Sequence, residues 1–172
     1  SLNYLEMLSD SGIEVCMANV EKLPYESNFF DVIVCTDVLE HVIDLYAAAN
    51  EISRVLKPGG IFILRVPYRE DLSQYLAEGT PYKYVHVRSF DEFSIEIFFC
   101  RVLDFSLEDV LFDYAMHSSV LKILRIFIIR RIIVMSLRGI IKVLPILKRW
   151  LMRLFFNPIE ITVVLNLPPK LE

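Results

Sequence analysis

Acids, imidazoles and a guanidinium recur just after apolar runs in this chain. Asp37, Glu40 and His41 follow one such run, Tyr68 and Arg69 follow a second, and His86 and Arg88 come in the loop beyond it. Histidine is the side chain that titrates nearest neutrality, so His41 is the candidate general base. Its alternative role is that of a histidine at a helix start that orders its loop. His117 has no evident partner. Cys16, Cys35 and Cys100 stand alone, with no CxxC pair and no His/Cys cluster. No structural zinc site, no other metal and no disulfide framework is therefore expected, and a reducing, cytoplasmic setting fits.

The elements that must carry these groups lie within residues 29–66, FFDVIVCTDVLEHVIDLYAAANEISRVLKPGGIFILRV. Residues 30–35 form a short apolar run rich in β-branched side chains, which reads as a buried strand. Leu45, Ala48, Ala49, Ile52, Val55 and Leu56 then recur at helical spacing with Asn50, Glu51, Ser53 and Arg54 between them. That is one amphipathic helix with a single buried face. Lys57-Pro58-Gly59-Gly60 stops it, and a second apolar run follows over 61–66. Strand, helix and strand in so short a stretch is a βαβ unit with parallel strands. Ligands in such sheets sit beyond the carboxyl ends of the strands. Here those ends are Thr36-Asp37 and Pro67-Tyr68.

With 172 residues the chain is of one-domain length, and its 55% hydrophobic content is high. Its net charge of −4 hides a split. Between Ser118 and Pro158 there are nine basic residues and no acidic one; the remainder holds the other nine basic residues and all 22 acidic ones, a net of −13. One segment thus faces a different neighbour from the rest.

Taken in order, residues 1–11 carry Leu2, Leu5 and Leu8 and read as a helix end, with Gly12 as its C-cap. Residues 13–18 (IEVCMA) read as a strand and 19–25 as a loop. An α/β domain that opens on a helix leads us to expect further strands before Ser1. After the central unit, 68–84 is a polar, aromatic connection. Ser89-Phe90-Asp91-Glu92 has a capping-box pattern opening a helix to about Cys100. A strand is expected within 102–115, burying Phe105, Leu107, Val110 and Leu111, and another over 159–167.

Residues 118–157 are read as a helical insertion. No charge-free run in it exceeds six residues, far short of the roughly 20 that span a bilayer. Arg131, Arg138, Lys142, Arg149 and Arg153 stack on one helical face, with Ile and Leu around much of the remainder, and Pro145 should kink the helix. A basic face opposite an apolar one suits a helix lying in an anionic membrane interface, here the inner face. A lid or a dimer face with solvated arginines is the other reading.

Three motifs in order carry a resemblance: Val20-Glu21-Lys22-Leu23-Pro24-Tyr25, the run from Phe30 through Thr36-Asp37-Val38-Leu39-Glu40-His41, and Arg54-Val55-Leu56-Lys57-Pro58-Gly59-Gly60. Together they resemble the class I S-adenosylmethionine-dependent methyltransferases, in the branch with quinone-biosynthesis and glycan-cluster enzymes. The match is strong over 13–67 and loose over 86–115. It implies an α/β, partial Rossmann-like methyltransferase fold: a mainly parallel sheet, helices on both faces, and the inserted hydrophobic-basic segment. Residues 1–117 and 158–172 would be the carboxyl-terminal part of the domain. The family's glycine-rich loop has no counterpart among Gly12, Gly59, Gly60, Gly79 and Gly139, so truncation is expected.

The resemblance also implies S-adenosylmethionine as cofactor. Asn19 stands where the family has an acid that accepts from the adenine amino group, and its amide oxygen can accept too; the alternative is a turn-forming Asn. Val20 would offer its backbone N–H, and Cys35 and Thr36 would meet the methionine end through the backbone. Tyr68, Arg69, His86 and Arg88 are the candidates to touch substrate, with helix capping as the alternative for His86 and Arg88. Methyl transfer from a sulfonium needs positioning, and a base such as His41 only for a hydroxyl acceptor. The expected acceptor is a hydrophobic or lipid-linked small molecule. The competing expectation is a non-catalytic membrane-associated or scaffolding domain. Nucleic acid is set aside, because Ile and Leu rather than stacking aromatics separate the basic residues.

Overall fold

The computed structural model describes residues 12, 14–76, 85–116 and 156–169. Within them, β1 (Phe30–Thr36), α1 (Leu45–Val55) and β2 (Leu56–Pro67) form the expected βαβ unit, and β1 pairs parallel with β2. A 3-10 turn (Leu72–Leu76) follows. Next come α2 (Glu92–Ile95), a π-helical continuation (Glu96–Val102), β3 (Ser106–Met116) and β4 (Phe156–Asn166). The sheet order is β1-β2-β4-β3. It is a mixed sheet: β4 runs antiparallel to both β2 and β3.

Helix α1 starts where Asp44 Oδ1 accepts from the Ala47 N–H at 2.9 Å, which satisfies an otherwise unpaired donor. It buries Ala48, Ala49, Ile52 and Val55. Gly59 adopts φ +78°, and a Cβ on Gly60 would come within 2.8 Å of both Leu56 Cδ1 and the Lys57 carbonyl oxygen. Backbone cannot yield as a side-chain tip can. Gly60→Ala is therefore expected to cost about 1–3 kcal/mol, as overpacking does, read as a lower urea midpoint.

One face of the sheet is buried. Opposite one another across the strands stand Cys35 and Leu64, Phe62 and Leu165, Leu64 and Val163, and Val66 and Ile161, all in one core with Ala48, Ile52, Ile95 and Phe99. Both described helices thus pack on this face. The opposite face shows Val32, Val34, Ile61 and Leu111 exposed.

Several expectations are corrected. Residues 14–18 form no strand, for a strand persists only where a neighbour pairs its backbone groups. The cap of α2 is Asp91 rather than Ser89: Asp91 Oδ1 accepts from the Ser94 N–H at 2.8 Å, and Ser94 Oγ accepts from the Asp91 N–H at 2.9 Å. The helix runs on to Val102 in π form. Phe105 is buried, whereas Leu111 is exposed because a register shift between Leu107 and Asp109 turns it to the open face; Leu107, opposite buried Leu165, is exposed on the edge strand of the sheet. The helix end over 1–11 lies outside the described residues. So does the insertion over 118–157, apart from Phe156 and Asn157, which open β4. Phe156 pairs with Met116, beyond the Pro67 and Glu160 pair that closes β2. β3 therefore ends, and β4 begins, at the carboxyl-end edge of β2.

Candidate functional site

Three segments meet at that edge. After Thr36, Asp37 takes φ 54° and its N–H donates to the Arg65 carbonyl at 3.1 Å, turning the chain across the end of β2. The turn tucks Leu39, Glu40 and Val42 inward and leaves Thr36 and His41 outward. After Pro67, Arg69 takes φ 48° and its N–H donates to the Phe90 carbonyl at 2.7 Å. Two non-glycine residues in the left-handed region at adjacent strand ends are the kind of backbone strain that gathers at functional sites. The third segment, 85–88, lies along the first: the Val87 N–H donates to the Glu40 carbonyl at 2.9 Å. Arg88 clamps it there through donation from Nη2 to the carbonyls of Val42 (2.5 Å) and Ile43 (2.9 Å).

This juxtaposition brings His41 and His86 together with ring centroids 4.5 Å apart, edge to face. His41 Nδ1 is 3.1 Å from the Val85 carbonyl oxygen, and His86 Nδ1 contacts the Glu70 carboxylate. Both neighbours only accept, so each ring carries its hydrogen on Nδ1 and keeps the Nε2 lone pair free. Glu70 is held in turn by Tyr75 Oη at 2.8 Å and Gln74 Nε2 at 2.9 Å. Beneath the pair, Glu40 is 1% exposed, and neither carboxylate oxygen has a hydrogen-bond partner among the described residues. Burial holds its pKa above the ordinary carboxylate range, against smaller lowering effects that include both imidazoles.

The remaining candidates fall elsewhere. Tyr68 Oη donates to Glu92 Oε2 at 2.6 Å, and burial with that carboxylate pushes its pKa to about 12. The Arg69 guanidinium lies 5.1 Å over the Tyr68 ring and pairs with Glu92 at 3.4 Å and Asp91 at 3.6 Å. These two side chains thus bind the start of α2 rather than joining the imidazoles. Asn19 Oδ1 accepts from the Glu21 N–H at 3.0 Å and its carbonyl from the Lys22 N–H at 2.9 Å, which is the turn-forming role. Val20 packs on the core that contains Cys35. Cys35 is buried, and burial first, then Glu40 and Asp37, push its thiol up to about 12; it is no nucleophile. A cavity of about 790 Å³ lies at the opposite edge, lined by Asn28, Arg54, Pro58, Asp104 and Leu167 among others, and holds none of the expected site residues.

Two of the motifs prove to be one fixture. Arg54 Nη2 donates to Glu51 Oε1 at 2.7 Å and to the Tyr25 carbonyl at 2.8 Å, and the Leu23 N–H donates to Glu51 Oε1 at 2.8 Å. Leu23-Pro24-Tyr25 is thereby stapled to α1. Sequence reasoning missed Glu70, which no local pattern ties to His86, sixteen residues away.

Fold and edge geometry together are those of a Rossmann-like α/β domain. Residues 3–64 match the methyltransferase domain family. Among curated relatives, an uncharacterised protein of Methanocaldococcus jannaschii is 40% identical over 72 residues, 42% of this chain and 31% of that protein. The ubiquinone/menaquinone biosynthesis C-methyltransferase UbiE of Shewanella oneidensis is 44% identical over 50 residues, 29% of this chain and 20% of the enzyme. The matched stretch thus spans less than a third of either relative. Among solved structures, the YcgJ protein of Bacillus subtilis superposes with a TM-score of 0.56 at 18% identity, covering 96% of this chain and 76% of that one. An S-adenosylmethionine-dependent methyltransferase of Mesorhizobium loti gives 0.55 at 16%, with the same coverages. These two likenesses concern the fold. Residues 3–64 are thus similar to the methyltransferase domain family, and the described fold is similar to that of these solved structures.

Proposed function

We propose that the chain transfers a methyl group from S-adenosylmethionine to a hydrophobic or lipid-linked small molecule, at the carboxyl ends of β1 and β2. The observation that carries this reading is the convergence there of His86 on Glu40 and His41, the latter two lying within residues 3–64 that the family match covers. The bound cofactor supplies an electrophilic methyl group for in-line displacement. Asn19 Oδ1 has two lone pairs and Glu21 occupies one, which leaves one for an adenine amino group. Val20 N–H and the Cys35–Thr36 backbone would flank the cofactor, with Thr36 exposed at the strand end. For a hydroxyl acceptor, the proton passes to His41 Nε2 as the oxygen–methyl bond forms, because Nδ1 is committed to Val85. Tyr68, Arg69, His86 and Arg88 frame the acceptor's side of the edge.

The basic apolar segment lies in sequence between Met116 and Phe156, which pair at this same edge. That placement suits an acceptor offered at an anionic lipid surface. Among the described residues no helix is long and apolar enough to cross a membrane.

Calorimetry with S-adenosylmethionine on the protein as its cell makes it tests the reading. Saturable one-to-one binding, weakened about five- to tenfold by Asn19→Ala, supports it; no binding overturns it. Co-sedimentation with anionic but not zwitterionic vesicles supports the lipid-surface part.

A further inference from the structure

The geometry points to a divalent-cation site made by Glu40, His41 and His86, selective for a first-row ion of the zinc type. One donor atom from each of the three lies within 4.8 Å of the others. Two donors on a tetrahedral ion stand about 3.4 Å apart at ordinary ligand distances, so closure takes up to about an ångström of movement shared among the side chains. The donors come from two separate segments held in register by Val87 and Arg88.

Two further observations favour a ligand there. Glu40 is 1% exposed and both its oxygens are without a partner among the described residues, an expensive state for a carboxylate that a cation relieves. Each imidazole is also pinned at Nδ1 by an acceptor, Val85 carbonyl for His41 and Glu70 carboxylate for His86, which leaves Nε2 of each ring as the nitrogen open to a cation. A carboxylate behind a histidine is the support that orients metal-bound imidazoles and raises their basicity. Two imidazoles and one carboxylate suit zinc, iron or cobalt better than magnesium or calcium, which prefer oxygen.

Three protein ligands leave a coordination position open, as in catalytic rather than structural sites. In the methyl-transfer reading that position takes the acceptor oxygen and lowers its pKa, and His41 then serves as ligand in place of base. Cation binding itself does not depend on that reading, because it is measured with no adenosyl compound present.

The test is titration of the full chain with Zn²⁺ in calorimetry, repeated with Mg²⁺, and Co²⁺ absorption as a report on the ligands. One equivalent of Zn²⁺ is expected, bound far more tightly than Mg²⁺. His41→Ala and His86→Ala should each weaken it by at least about tenfold, and Glu70→Gln by about 10–100-fold as a supporting group. Circular dichroism on the same samples separates lost ligands from lost fold; Glu70→Gln, altering no ligand, is the variant least exposed to misfolding. Absence of saturable Zn²⁺ binding overturns the site, as does binding that survives the double His41→Ala, His86→Ala change, or equal affinity for Mg²⁺.

Discussion

Replacing Phe62 by alanine lowers folding stability by about 3–5 kcal/mol, the cost of emptying a buried aromatic position. Phe62 is fully buried and sits in the middle of the sheet, between Ile33 of β1 and Leu165 of β4. Its ring lies 5.6 Å from Phe99 and 6.1 Å from Phe105, so it joins the sheet to the π-helical turn and the start of β3. Val34, on the open face and 63% exposed, supplies the contrast: Val34→Ala stays within about 0.5 kcal/mol. Urea unfolding of both variants checks the pair, and similar losses would mean that the open face is covered in the folded protein.

His41→Ala lowers kcat for a hydroxyl acceptor by about 10²- to 10⁴-fold, the range for removing a positioned base. With Nδ1 held by Val85, Nε2 is the nitrogen left to take a proton, so the loss falls on kcat more than on KM. The same loss is expected when that nitrogen holds a cation instead, and chelation then reproduces it in the unaltered protein. A purely loop-ordering histidine behaves differently. His41→Asn keeps an amide N–H for the Val85 carbonyl, and recovery of activity in that variant would reduce His41 to a positioning residue.

How much of this was legible depends on how local each feature is. Helix α1 could be read from Leu45 to Leu56 because its buried stripe and its Pro-Gly-Gly stop lie within one stretch. The parallel pair β1 and β2 followed from the short crossover. Residues 14–18 look equally strand-like, yet strandhood is a property of pairs, and no described strand pairs with them. Ser89 and Asp91 both offer a capping side chain; Ser94, not Glu92, closes the box, which spacing alone does not decide. His41, His86 and Arg88 could be named from their types. Their meeting with Glu70 could not, since it arises from the path of 85–88 along 40–43. Glu40 was visible as an acid near a strand end, but its lack of a partner is a fact of packing. Tyr68 and Arg69 face the edge in sequence and turn to Glu92 in the fold.

The central claim is that the methyl donor binds at the carboxyl ends of β1 and β2. Hydrogen–deuterium exchange with and without S-adenosylmethionine reads this segment by segment. The account predicts slowed exchange over 19–22 and 35–41. Protection confined to 27–28, 54–58 and 167–169, around the cavity at the other edge, or none at saturating cofactor, would contradict it.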